Sequence, residues 1–185
     1  MRAFIAIDLP ESVHSALAHA QQSFRSVCRD ARWTRPEGIH LTLKFLGEIS
    51  DAQAKQVVEA LAQLGQFESF PVEVKGFGFF PSAHRPRVFW AGVTAPPALA
   101  ELAARVEGRM EKLGFAREDR AFSPHLTLAR FQAPRPQPEL EAAVAGRATN
   151  LLGEFTASEF FLFESRLSPQ GAQYRKVMRF PKGGG

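Results

Sequence analysis

The tetrapeptide His-Leu-Thr-Leu occurs twice, at residues 40–43 and again at 125–128. In an extended strand successive side chains alternate between faces and rise about 3.3 Å per residue. His40 and Thr42 then share one face while Leu41 and Leu43 point to the other, and His125 and Thr127 are set against Leu126 and Leu128 in the same way. Each segment offers an imidazole and a hydroxyl about 6–7 Å apart along the backbone. With both polar faces on one cleft, the set suits in-line displacement at the phosphorus of a cyclic phosphate, with water activated on one side and an oxygen leaving on the other. Imidazole, with an unperturbed pKa near 6.5, can act as either acid or base close to neutrality, and each such positioned group contributes roughly 10²–10⁴ in rate. The threonine hydroxyls can donate to the non-bridging oxygens as charge builds there. A single His-x-Thr is an ordinary polar sheet face. Two copies in a chain with five histidines are not something a sheet requires.

Further candidates are less specific. Lys44 shares the expected polar face of His40 and Thr42 and could meet phosphates. Phe122, just before the second motif, could stack on a base, although a chain with 17 Phe also needs core aromatics. His84, Arg85 and Arg87 make a basic loop. His14 and His19 have no partner pattern and are expected to face solvent. Cys28, the single cysteine, permits no internal disulfide and reads as a small buried apolar side chain.

Positioning these groups falls to alternating strands and helices. Residues 3–9 read as a strand, followed by a helix over 12–27 with Val13, Leu17, Ala20 and Phe24 on one face. Residues 40–46 form a strand ending at Gly47, and 51–64 a helix capped by Asp51 or Ser50 and stopped by Gly65. Strands are expected at 70–80, 87–94 and 125–130, a helix at 97–113, a short helix at 139–146, and strands at 153–164 and 173–180. The tail 181–185 is expected to be disordered. The histidines are 125 − 40 = 85 residues apart, and the same offset carries Phe4 onto Phe89 and Leu17 onto Leu102. Each half reads strand, helix, loop, HLTL strand, which predicts one bilobal domain over 1–185 with a site between the two HLTL strands.

Composition narrows the classes. The hydrophobic fraction is 45%, ample for a core, yet no apolar run is long enough to span a membrane. The N-terminal apolar run is too short for a signal peptide, which predicts a cytoplasmic protein. A net charge of +4 suits a phosphate-bearing partner. No metal-ligand cluster, P-loop or dinucleotide fingerprint is present, so neither metal nor cofactor is expected.

The segments RPEGIHLTLKFLGE and FSPHLTLAR closely resemble the signature segments of the bacterial and archaeal RNA 2′,3′-cyclic phosphodiesterases of the 2H phosphoesterase superfamily, and MRAFIAIDLP resembles that family's opening. The likeness runs from Arg2 to about Arg130 and fades in the C-terminal third. It implies an α+β fold of two pseudo-symmetric lobes, each an antiparallel sheet with helices packed outside, around a central cleft. It implies hydrolysis of an RNA-terminal 2′,3′-cyclic phosphate to a 2′-phosphate, with His40 as proton donor and His125 as acceptor, a choice the near-symmetry of the motifs leaves open. It also implies a phosphate or base contact for Arg130, which strict alternation puts on the opposite face from His125. The expected partners are RNA ends or nucleoside 2′,3′-cyclic phosphates, with tRNA halves if the chain joins RNA through a 2′–5′ bond, and the chain is expected to be a monomer. The alternatives are that ligase activity and a non-catalytic RNA-binding module.

Overall fold

The computed structural model describes residues 1–28, 30–169 and 171–181. Along them run β1 (Arg2–Ile7), α1 (Glu11–Phe24), β2 (Ala31–Trp33), β3 (Leu41–Glu48), α2 (Asp51–Ala62), β4 (Phe70–Phe80), β5 (Val88–Thr94), α3 (Pro97–Lys112), β6 (His125–Phe131), α4 (Pro138–Ala145), β7 (Leu151–Ala157), β8 (Phe160–Ser168) and β9 (Gly171–Phe180). Beyond Pro181 the expected disordered tail lies outside the described residues. No described helix is long and apolar enough to cross a membrane.

The helices follow their apolar spacing. Val13, Leu17, Ala20 and Phe24 of α1 are buried, as are Leu99, Leu102, Ala103, Val106 and Met110 of α3, one stripe on each helix. At the start of α2 Ser50, not Asp51, is the cap: its hydroxyl accepts from the Gln53 N–H, and the Gln53 side chain accepts from the Ser50 N–H. This reciprocal pair satisfies two donors that the first helical turn cannot.

The fold is α+β with two antiparallel sheets, one ordered β3-β1-β8-β9 and the other β2-β6-β5-β4-β7. Three details differ from the sequence expectation. The strand expected at 153–164 is two strands in different sheets, β7 and β8, broken at Ser158 and Glu159. The first helix stops at Phe24 and tightens into a 3-10 turn at Arg25–Val27. The short edge strand β2 is additional; its three residues pair with β6.

The helices are exchanged between the sheets. α1 follows β1 of the first sheet but packs on the second, where Phe24 meets Phe77 and Phe89 edge-on at 4.9 and 5.2 Å. Its buried Gln21 donates to the carbonyls of Thr34 and of Leu128 in β6. α3, which links β5 to β6 of the second sheet, packs on β3 of the first. One continuous core therefore joins Ile5, Leu41 and Leu43 to Phe89, Leu126 and Leu128.

Both HLTL strands carry a β-bulge at the same residue. Ile5 and Ala6 are consecutive in β1, but their partners are Lys44 and Thr42, so Leu43 is extra. In β6 the partners of Phe89 and Trp90 are Ala129 and Thr127, so Leu128 is extra. These registers correct the sequence offset for the first strands. Phe45 and Arg130 are 130 − 45 = 85 apart, but their partners Phe4 and Val88 are 88 − 4 = 84 apart. A shift of one residue moves a side chain to the other face: Phe4 lies in a separate aromatic cluster, whereas Phe89, the counterpart expected from sequence, is in the main core.

Candidate active site

His40 immediately precedes β3 and His125 opens β6. Leu41, Leu43, Leu126 and Leu128 all sit in the main core, so each strand turns its imidazole and hydroxyl away from it. β3 and β6 belong to different sheets but lie against each other.

The two rings are oriented alike. Nδ1 of His40 donates to the Gly38 carbonyl at 3.0 Å, and Nδ1 of His125 donates to the Ser123 carbonyl at 2.8 Å. Each bond to the backbone two residues earlier fixes the tautomer of the neutral ring and leaves Nε2 as the nitrogen open to accept a proton. Neither Thr42 nor Thr127 has a hydroxyl partner among the described residues, so both hydroxyls are free to donate.

The surroundings are unequal. His40 is packed among Phe4, Phe163 and Tyr174, with ring centroids 5.5, 4.4 and 5.3 Å away. This burial pushes its pKa down to about 4, against the pull of the Asp8 carboxylate and the Gly38 carbonyl. Asp8 Oδ1 lies 3.9 Å from His40 Nε2 and 3.7 Å from His14 Nε2, and its Oδ2 is held by Lys176. Burial works against the Asp8 carboxylate, but the contacts from His14 and Lys176 outweigh it and hold the carboxyl far below its usual range. His125 is partly exposed and meets Phe80 edge-on at 4.9 Å. Burial lowers its pKa too, the Ser123 carbonyl opposes, and the nearby Arg130 lowers it further.

Two close approaches hold these walls in place. A Cβ on Gly38 would stand 2.5 Å from the Tyr174 ring, and a Cβ on Gly78 would overlap the Trp90 indole. Glycine at 38 lets the Tyr174 ring come against the backbone that orients His40, and glycine at 78 lets the indole of Trp90, the partner of Thr127, come against β4.

The weaker sequence candidates divide. Lys44 is not on the polar face. The bulge at Leu43 turns it to the α3 side, where it is 3% exposed and its ammonium contacts Glu107 at 2.9 Å, the Ala116 carbonyl at 2.6 Å and Glu118 at 3.8 Å. The equivalent bulge at Leu128 has the opposite consequence for Arg130. Ala129 and Phe131 face the core, so Arg130 returns to the side of His125 and Thr127, where strict alternation would not have put it. Phe122 is half-buried and packs against the main core. His14 is not solvent-facing: its Nδ1 donates to the Pro36 carbonyl at 2.8 Å, and the Asp8 contact raises its pKa. Cys28 is buried, which pushes its thiol up to about 11.

Sequence reasoning did not single out Asp8, Tyr174 or Trp90. For Asp8 a signal is present: Phe4, Ala6 and Asp8 follow the period of two that leads from the aromatic cluster to His40. Tyr174 comes from the far end of the chain and has none.

A chain in which two sheets present paired imidazoles and hydroxyls has the form of a phosphoesterase. The comparison with known proteins agrees. The family model described as LigT like Phosphoesterase matches residues 7–90 and again 93–174, and the chain belongs to that family, within the 2H superfamily. It is 32% identical to the RNA 2′,3′-cyclic phosphodiesterase of Methanothermobacter thermautotrophicus over 97% of this chain and 98% of the relative. It is 33% identical to the enzyme of the same name from Archaeoglobus fulgidus over 97% and 99%. Among solved structures, the Thermus thermophilus protein TT0787 aligns with a TM-score of 0.80 at 32% identity, covering 97% of both chains. The E. coli LigT complex with 3′-AMP aligns with a TM-score of 0.80 at 25% identity, covering 97% of this chain and 96% of that one.

Proposed function

We propose that this chain hydrolyses 2′,3′-cyclic phosphate at RNA ends to a 2′-phosphate, using His40 and His125 as the proton-transfer pair. The observation that carries the reading is that two imidazoles, each tied at Nδ1 to its own backbone and each beside a free threonine hydroxyl, sit on adjoining strands of a chain similar over its whole length to enzymes of that name. In the reaction His125 Nε2 takes a proton from water as its oxygen attacks phosphorus. The P–O3′ bond breaks, and His40 gives a proton to the departing O3′. Thr42 and Thr127 donate to the non-bridging oxygens. Near neutral pH His40 is unprotonated in the free protein. The bound phosphate anion, together with Asp8, supplies the negative charge that lets it take up the proton it must deliver. We also read residues 1–185 as one bilobal unit built from a repeated half, a reading supported by the matching bulges and the doubled family match.

The test is incubation with nucleoside 2′,3′-cyclic phosphates in excess chelator. The expected product is the nucleoside 2′-phosphate, formed at an undiminished rate. Loss of turnover with chelator and its return with a divalent ion would overturn the two-histidine mechanism, and exclusive formation of the 3′-phosphate would overturn the direction of ring opening.

A further inference from the structure

Two arginines face each other at the edge of the second sheet, on the side that carries His125. Arg32 in β2 is the direct cross-strand partner of Arg130 in β6. Trp33 and Ala31, on either side of Arg32, pack against the main core, and Trp33 meets Phe89 there at 6.1 Å. Arg32 therefore points to the opposite face, the one to which the bulge returns Arg130.

Like charges directly opposite each other in an antiparallel pair are destabilising. An anion shared between them would relieve that repulsion. Both guanidiniums are exposed, and among the described residues neither has an ion-pair or hydrogen-bond partner. The carboxylate nearest along the chain, Asp30, acts on the buried Cys28. Directly opposed residues hold their Cβ atoms about 5 Å apart, so two planar forks can close on a single phosphate.

That phosphate is not the reacting one. Arg130 begins about 7–10 Å beyond Thr127 along β6, and Arg32 is one strand farther out. An RNA end with a cyclic phosphate has one other anion close by, the phosphodiester on the 5′ side of its last nucleoside. We propose that Arg32 and Arg130 form a subsite for that upstream backbone phosphate, which makes the chain selective for RNA ends over free nucleoside 2′,3′-cyclic phosphates. The proposal rests on the cyclic phosphodiesterase reading above. It also explains an asymmetry: the residue at the matching place in β3 is Phe45, an exposed aromatic 6.1 Å from Phe4, so the strand that follows His40 has no counterpart of Arg130 at that position. The influence of Arg130 on His125 agrees with its lying at the rim of the site.

The experiment compares kcat/KM on uridine 2′,3′-cyclic phosphate with that on a short oligouridylate ending in the same group, at several salt concentrations, for wild type, Arg32→Gln and Arg32→Lys. The wild type is expected to favour the oligonucleotide and to lose that advantage with added salt. Arg32→Gln should lower the oligonucleotide value roughly tenfold, reduce its salt slope by about one and leave the mononucleotide value within about twofold. Arg32→Lys should keep the slope with a smaller loss of rate. Because one of two facing like charges is removed, Arg32→Gln should melt no earlier than wild type. An equal loss on both substrates, or a wild type with no preference, overturns the subsite while leaving the phosphodiesterase reading intact. A wild type that turns over neither substrate overturns that reading and the subsite with it.

Discussion

The two histidines have the same backbone tether and different surroundings, and their chemistry follows from both. His40→Ala and His125→Ala should each lower kcat by at least 10²–10⁴. The double variant should be little worse than either single one, because groups that act as a unit are non-additive. Thermal melts beside the activity assay separate this from unfolding: histidine variants that melt early yet keep full specific activity while folded would show the pair to be structural. The pH profile is a second prediction. The proposed mechanism requires one imidazole charged and one neutral. In the free protein burial puts His40 near 4 and lowers His125 below its ordinary value. The profile of kcat/KM, which reports the free enzyme, should be a bell with its maximum below pH 6.5. A maximum above pH 7.5 would contradict this distribution of protons.

At the scale of the element, a one-residue bulge decides which face each long side chain takes: Lys44 turns toward α3, and Arg130 returns to the side of His125 and Thr127. Lys44→Ala removes one partner of a buried ion pair and leaves the half-buried Glu107 uncompensated, which should cost about 3–5 kcal/mol. Lys44→Met, which keeps the packing of the stem, should cost less. Both should lower Tm and leave the kcat of the folded fraction within a few-fold of wild type. A fall in kcat/KM on RNA at unchanged Tm would instead mean that Lys44 meets substrate.

At the scale of the molecule, the exchanged helices make one cooperative core of two sheets, and its stability depends on histidines kept neutral inside it. The unfolded chain protonates His40 below about pH 6.5, the native state only below about 4. Between those values the unfolded state binds more protons, so stability falls as pH falls, by up to about 3 kcal/mol from this residue. His125 acts in the same direction. His14, whose pKa is raised, acts in the opposite one, because its contribution is full below its ordinary pKa and is lost as pH rises through the raised one. Urea midpoints measured at pH 7 and pH 4.5 should therefore decline toward acid in the wild type and decline less in His40→Gln. Equal declines would show that His40 is not the group responsible.

How much of this was legible in the residues can be judged from particular positions. The HLTL pair, its alternation of leucines with polar groups, and the apolar stripes of α1 and α3 are local patterns, set by the period of a strand or a helix, and they are enough to single out His40, Thr42, His125 and Thr127. Asp8 was within reach of the same rule. Strict alternation puts Lys44 and Arg130 on the wrong faces, because the bulge arises from pairing with β1 and β5 and has no mark in β3 or β6 alone. The break between β7 and β8, the exchange of α1 and α3, and the arrival of Tyr174 and Lys176 beside His40 depend on contacts between residues far apart in the chain. Only the tertiary structure could decide them, because which sheet a strand joins, and so which groups surround an imidazole, depends on where the rest of the chain buries its apolar surface.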